Sequence, residues 1–368
     1  MKETTTPSRR VLVLDSAPDR FVHDELTPLL AAGTEVTLNL WRLEGRGSVT
    51  EAYGGRVNFI DLNGFDEAEV IAAVISGGVG YDVIKSRANV PISATLIQAA
   101  TDPALMHRLS VIGQVGAGTN NIDLQAARVC GVTVTHTPGA NATAVAEHAL
   151  AMILTITKNI IRSNAAAHRG QWRDSPMVFP AELADLTLGI VGPGRIGTVL
   201  ARKAQALGMR VVATGSPRFT RAKAESAGME FIDSLDVLLG TSDVVSLHCP
   251  LNDATSGMIG RRELNLMRPG SVLVNMSRGG VVDEDALAFA LKDPLTPPAA
   301  AAVDVFDREH DGFSSPLMGL ANAVLTPHVA GMTDAAILRA TVRLSENIVA
   351  LLEGRGQDVP MAGTSSSA

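Results

Sequence analysis

Four ionisable residues stand where short apolar runs end. Arg278 follows the run in VLVNMSRGGVVDEDAL, Asp304 and Glu309 lie in AAAVDVFDRE, and His328 follows a proline in NAVLTPHVAG. A histidine exchanges a proton near neutral pH. A carboxylate beside it favours the imidazolium and orients the ring. An arginine clamps a carboxylate and stabilises charge building on a carbonyl oxygen. Together these are the needs of hydride transfer between a nicotinamide and a carbonyl, where a proton must reach the developing alkoxide. Taken singly, each has an ordinary explanation. Arginine at a strand end commonly makes a surface ion pair, Glu309 sits in the charged run DREHD, and His328 can cap a loop. Asp304 resists that treatment, because a carboxylate inside an apolar run needs partners. The joint order of the four carries the reading.

A second signal is the stretch LTLGIVGPGRIG, with Gly192-x-Gly194-x-x-Gly197 directly after an apolar strand. Ile196, Val199, Leu200, Ala204 and Leu207 then recur at helical spacing. In this pattern the first glycine permits a tight turn, the second lets backbone approach a pyrophosphate, and the third lets helix pack on strand. The helix start, with Arg195 and Ile196, offers N–H groups to phosphate. About 20 residues on, an NAD-preferring fold usually places Asp or Glu at a strand end to hold the ribose 2′-hydroxyl. Here RVVATGSPRF offers Thr214, Gly215 and Ser216, with Arg218 following. With Gly215 where the acid would stand, nothing there repels a 2′-phosphate. Ser216 can hydrogen-bond one and Arg218 can pair with it; alternatively Arg218 faces solvent and NAD binds through its other contacts. The cofactor expectation is NAD(H) or NADP(H), with NADPH at least tolerated. A further Gly-rich stretch, GQVGAG at 113–118, has the wrong spacing for a second cofactor site, but its small residues can bring N–H groups to an anion.

Positioning such residues requires parallel sheets. Candidate strands lie at 11–14, 35–40, 82–86, 110–115 and 132–136, and a second series at 186–191, 210–214, 243–248, 271–276, 300–306 and 323–326. Amphipathic segments alternate with them, which means helices covering parallel strands. The 368 residues allow roughly two domains of ~150 residues. Hydrophobic residues make up 46% but aromatics only 4%, so Ala, Val, Leu and Ile must fill the cores. A net charge of −7 argues against nucleic acid or an anionic membrane as partner. Cys130 and Cys249 imply no disulfide framework, which fits a reducing cytoplasm. Residues 144–161 carry Glu147, His148 and Lys158 and read as part of a long, mostly buried helix over 141–161 rather than a membrane span. Residues 41–58 read as a long loop. The final helix, near 334–354, is compatible with either domain on composition alone.

Several motifs are specific enough to indicate a family: VGAGTNNID (115–123), PGANATAVAEHAL (138–150), GIVGPGRIG, LHCPLNDATSGMIG (247–260), MRPGSVLVNMSRGGVVDEDAL (267–287), AVDVFDRE and LTPHVAG. From about residue 80 to 355 the chain resembles the D-isomer-specific 2-hydroxyacid dehydrogenases. The resemblance implies an α/β protein. A Rossmann cofactor domain (120–329) is expected beside a discontinuous, flavodoxin-like substrate domain (1–119 and 330–368), with substrate between them. It implies His328 as acid/base, Glu309 as its partner and Arg278 as ligand of the substrate carboxylate and carbonyl. Asp304 would accept a hydrogen bond from the nicotinamide carboxamide. His248, Cys249, Pro250 and Thr255 would line the cofactor groove, with Met276 and Ser277 also contacting it. Val115, Gly116, Ala117 and Gly118 would bind the substrate carboxylate through backbone N–H groups, and Lys85 and Arg87 would approach the substrate. The implied reaction moves hydride between nicotinamide and C2 of a small 2-hydroxy or 2-oxo acid, with no metal and with a homodimer through the cofactor domain. Lys85 and Arg87 also allow a phosphate- or phosphonate-bearing substrate such as 3-phosphoglycerate. A non-enzymatic, dinucleotide-sensing corepressor of the same fold is the remaining alternative.

Overall fold

The computed structural model describes residues 8–87, 90–172, 180–215, 219–309 and 312–363. Its contacts divide the chain into one unit of residues 1–141 and 334–368 and a second of residues 142–333.

In the first unit the strands are β1 (Arg10–Val13), β2 (Glu35–Asn39), β3 (Asn58–Ile60), β4 (Val83–Ser86), β5 (Val111–Gln114) and β6 (Thr133–His136). All pair in parallel, in the order β3-β2-β1-β4-β5-β6. Without the short edge strand β3, this is the 2-1-3-4-5 order of a flavodoxin-like sheet. The expected boundary at 119/120 shifts to 141/142. The reason is the register of β6 on β5, Val111 opposite Thr133 through Gln114 opposite His136, which keeps residues 120–141 in the first sheet. The stretch 41–58, expected as a loop, contains the helix Arg46–Tyr53, which buries Val49 and Tyr53. The final helix, Asp334–Leu352, belongs to this unit and packs on helix Val22–Ala31.

Lys85 was expected near the substrate, and the structure places it elsewhere. It is fully buried on β4 with its ammonium against the equally buried Glu25 carboxylate. All four residues of β4 are buried, and Lys85 points to the side where helix Val22–Ala31 carries Glu25. Glu25 also accepts the Ala17 N–H at 2.8 Å, which ties helix Val22–Ala31 to the loop after β1.

The second unit contains β7 (Thr187–Val191), β8 (Arg210–Thr214), β9 (Glu230–Phe231), β10 (Val244–Leu247), β11 (Val272–Asn275), β12 (Ala300–Val303) and β13 (Ala323–Leu325). They form a wholly parallel sheet in the order β13-β12-β11-β10-β7-β8-β9. Strand order reverses between β7 and β10, the place where doubly wound sheets bind ligands beyond the strand ends. Alternate residues serve two cores. Val272, Val274 and Ala302 join one cluster with Ala146, Ala149 and Leu200, while Leu273, Ala301 and Val303 join another with Leu238, Leu264 and Leu287. The helix expected over 141–161 is two helices, Ala142–Thr157 and Ile160–His168, because Asn159 adopts a left-handed φ of 55° and ends the first. Among the described residues no single helix is long and apolar enough to cross a membrane.

Removing one member of a buried ion pair leaves the other charge uncompensated, at a cost of about 3–5 kcal/mol. Lys85→Met is therefore expected to lower the urea midpoint of the protein sharply. The double variant Lys85→Met/Glu25→Gln, which keeps an acceptor for Ala17, should recover most of the loss.

Candidate active site

The glycine cluster forms the turn between β7 and the helix Arg195–Ala206. Gly192 has φ 77°, and a Cβ there would stand 3.0 Å from the Cys249 backbone. A side chain is thus excluded both by backbone angle and by the neighbouring loop after β10. At Gly194 a Cβ would meet nothing nearer than 4.0 Å, so this position faces open space. At Gly197 a Cβ would lie 2.9 Å from Ile190, so the glycine sets how closely helix and strand pack. No side chain caps this helix start, and first-turn N–H groups have no partner within a helix. Turn, open space and uncapped amides fit a dinucleotide pyrophosphate. Arg195 is exposed on this first turn, and Ile196 packs partly into the core.

His248 and Cys249 follow β10 and border the turn. The His248 Nε2 lies 2.9 Å from Ser246 Oγ, while its Nδ1 is shielded and has no partner among the described residues. Burial lowers the imidazole to about 4, so it is neutral near pH 7. Burial raises the Cys249 thiol. Thr255 accepts the Asn252 N–H at 2.9 Å and donates to the Pro250 carbonyl, which closes the loop they share. Met276 lies in the core cluster and Ser277 donates its hydroxyl to Asn275 Oδ1 at 2.7 Å, so both side chains are committed inward. Ser216 and Arg218 lie outside the described residues.

Beyond β11 and β12 the four ionisable residues meet. Asn275 ends β11 and shapes the next turn. Its Oδ1 accepts the Ser277 N–H at 3.1 Å and its Nδ2 donates to the Arg278 carbonyl at 3.1 Å. Gly279 makes the turn fit, because a Cβ there would be 2.0 Å from the Phe306 carbonyl oxygen. That close approach brings the Arg278 turn against the loop carrying Glu309. The guanidinium is largely shielded and donates to the Ser277 carbonyl at 2.6 Å. Burial lowers its pKa and the Glu309 carboxylate offsets part of that effect. Glu309 accepts the Phe306 N–H at 3.0 Å through Oε1, and its Oε2 lies 2.8 Å from His328 Nδ1. His328 has a left-handed φ of 54° and donates its N–H to the Asp304 carbonyl at 2.8 Å. Phe306, Glu309, Phe313, Pro327 and His328 line a cavity of 260 Å³. Phe306 and Phe313 meet edge to face there, 4.9 Å between ring centroids.

Asp304 is 1% exposed. Its carboxylate accepts the Thr326 hydroxyl and the N–H groups of Val329 (3.0 Å) and Ala330 (2.9 Å). It therefore holds the loop that bears His328. A carboxylate has about four acceptor positions, so one remains for an outside N–H.

In the first unit, Arg87 follows β4, is half-buried and donates to the Ser16 carbonyl at 3.1 Å. Beside it, burial raises Asp15 to about 6 despite its ion pair with Arg42. Of the four N–H groups expected to bind an anion, two are already occupied. Val115 donates to the Ser86 carbonyl at 3.0 Å and Gly116 to Thr137 Oγ1 at 2.7 Å. Those of Ala117 and Gly118 have no partner among the described residues. Asn275 and Glu284 were not singled out from sequence. The buried Glu284 accepts the Asp307 N–H at 2.7 Å and anchors the Glu309 loop from below. An asparagine ending an apolar strand was the available signal for the first; nothing local marks the second.

Comparison with known proteins accords with this geometry. A family model described as D-isomer specific 2-hydroxyacid dehydrogenase, NAD binding domain, matches residues 150–330. The chain is 38% identical over 269 residues to a glyoxylate reductase of Thermococcus litoralis, covering 71% of this chain and 80% of the relative. It is 36% identical over 274 residues to a D-3-phosphoglycerate dehydrogenase of Archaeoglobus fulgidus, covering 74% of this chain and 50% of the relative. The chain thus spans about half the length of that dehydrogenase. Among solved structures, a D-lactate dehydrogenase from Aquifex aeolicus complexed with NAD and lactic acid superposes with a TM-score of 0.75 at 26% identity, covering 97% of this chain and all of that one. A glyoxylate reductase from a Paecilomyces species gives 0.77 at 26%, covering 97% and 99%. The chain belongs to the D-isomer-specific 2-hydroxyacid dehydrogenase family.

The buried His248 sets a pH dependence. Its native pKa lies below the unfolded value of about 6.5, so the unfolded state binds the proton first as pH falls. Stability is therefore lost between about pH 6.5 and 4, by up to about 3 kcal/mol. Asp15 works in the opposite sense, because its raised pKa lets the native state take the proton first. The wild-type protein minus His248→Gln isolates the histidine. Denaturation midpoints measured from pH 7 to 4 should converge as the pH falls.

Proposed function

We propose that the chain is an NAD(P)-dependent oxidoreductase that moves hydride between the nicotinamide and C2 of a small 2-oxo or 2-hydroxy acid. The observation that carries the reading is the His328–Glu309 contact of 2.8 Å beside Arg278. With Nδ1–H directed at Glu309, the proton available for transfer sits on Nε2. The carboxylate fixes the ring plane. The bound nicotinamide would supply or accept the hydride. In the reducing direction His328 would deliver its Nε2 proton to the carbonyl oxygen, yielding the 2-hydroxy acid. Arg278 stays charged in its shielded position and would hold the substrate carboxylate and polarise the carbonyl. Gly192, Gly194 and Gly197 with the amides after them would seat the pyrophosphate. The fourth acceptor position of Asp304 suits the nicotinamide carboxamide. Ala117 and Gly118 remain as carboxylate-binding N–H groups in the first unit. A phosphate-bearing substrate loses one of its two supports, because Lys85 is sealed by Glu25.

The proposal extends to the choice of dinucleotide. A Cβ on Gly215 would stand 3.0 Å from the Phe219 Cβ, so Phe219 crowds the position where an acid would bind the ribose. It extends also to a homodimer through the second unit, where Ile160, Ile161 and Trp172 are exposed by 50%, 53% and 88%.

Two outcomes are expected. In assays with glyoxylate, hydroxypyruvate, pyruvate and phosphonopyruvate, the wild-type protein should oxidise NADH or NADPH with at least one. His328→Ala should lose turnover by about 10²–10⁴-fold while cofactor affinity, read by nicotinamide fluorescence, is kept; normal turnover by this variant would overturn the assignment. NADPH should be used with a kcat/KM within about a hundredfold of NADH, and a larger preference for NADH would sink that part of the reading.

A further inference from the structure

Helix Ala142–Thr157 is apolar where it meets the sheet, yet it carries His148 toward the strand ends. His148 Nε2 lies 3.1 Å from Thr326 Oγ1 and 3.9 Å from Asp304 Oδ1. A threonine hydroxyl has one hydrogen, and here it points at Asp304 Oδ1. Thr326 must therefore accept from His148, which carries its proton on Nε2. The result is a directed chain from the His148 N–H, through the Thr326 O–H, to the Asp304 carboxylate. That carboxylate in turn receives the N–H groups of Val329 and Ala330, while the Asp304 carbonyl receives that of His328. Three consecutive amides, those of the left-handed His328 and of the two residues after it, are thus tied to one buried residue.

We propose that His148 is a positioning residue for His328, acting through Thr326 and Asp304. A non-glycine residue at φ 54° persists only where its surroundings over-determine it. Asp304 supplies that constraint, and the orientation of its carboxylate depends on the hydroxyl that His148 fixes. Without the imidazole donor, the Thr326 side chain is no longer held from the helix side, so its hydroxyl places Oδ1 less firmly and the carboxylate can tilt away from the 329 and 330 amides. His148 is separated from Thr326 by 178 residues. Its helix neighbour Glu147 faces outward to Lys203 at 2.9 Å and takes no part.

The catalytic readout rests on the hydride-transfer reading above, so a second readout is independent of it. His148→Leu removes the donor, whereas His148→Gln restores an N–H at a similar reach. In His148→Leu, amide hydrogen exchange over 326–332 should quicken while exchange in the core strand β7 stays as in the wild type. Its kcat should fall about tenfold, the rate equivalent of one hydrogen bond, with cofactor affinity kept. His148→Gln should return both to within about threefold of the wild type. Unchanged exchange over 326–332 in His148→Leu would overturn the proposal. So would a His148→Gln variant that exchanges and turns over like His148→Leu. If the wild type turned over none of the 2-oxo acids, the functional reading would fall and the exchange comparison alone would decide the role of His148.

Discussion

A carboxylate buried at the end of a parallel strand demands partners, and the second unit is organised around how Asp304 finds them. It is almost wholly buried, and an unpaired charge there would cost several kcal/mol. The acid is satisfied by the loop that follows β13: one hydroxyl, two amides, and a third amide on its own carbonyl. Because that loop carries His328, the requirement of one charge for hydrogen bonds becomes the placement of another group for proton transfer. The histidine ring is then oriented from its other side by Glu309, itself tethered at Phe306 and, through Asp307, at Glu284. Each residue of the site is held by a neighbour whose own geometry is locked, which is how a side chain on a loop keeps a working orientation.

Close backbone approach is the second constraint. Gly279 lies where any side chain would strike the Phe306 carbonyl, and Gly192 where it would strike the loop after β10. In both cases glycine lets a loop from one strand pass against a loop from the next. The strand order reverses at β7 and β10, so the cradle at Gly192–Gly197 opens where the two loops diverge. Gly194, by contrast, faces space rather than a neighbour, which is why it suits a ligand and the other two suit packing.

The first unit handles charge differently. Lys85 and Glu25 neutralise each other inside the sheet–helix layer, and Asp15 is partly neutralised by burial raising its pKa. Arg87 remains half-exposed after β4. Two basic residues with equal claims in IKSRAN thus have unequal fates, because Lys85 lies within β4 beside a buried acid on the facing helix and Arg87 follows the strand end.

Much of this protein was written in local pattern. Strand–helix alternation, the glycine spacing before an amphipathic helix, and ionisable residues at strand ends are properties of neighbouring residues, and period-two and period-3.6 patterning makes them readable along the chain. The eleven expected strands all appear; β3 and β9, with three and two residues in strand, are too short for alternation to show. What depended on distant partners was not readable. The fate of Lys85 needed Glu25, 60 residues away, and the helix in 41–58 needed a surface on which to bury Val49 and Tyr53. The domain boundary needed the pairing of β6 with β5. Two of four loop amides were spent on Ser86 and Thr137, and a histidine in an apolar helix met a threonine 178 residues later. Sequence alone determined which residue types stood at the strand ends. Tertiary structure decided which of their hydrogen-bonding groups were already satisfied, because burial makes every polar atom seek a partner regardless of its distance along the chain.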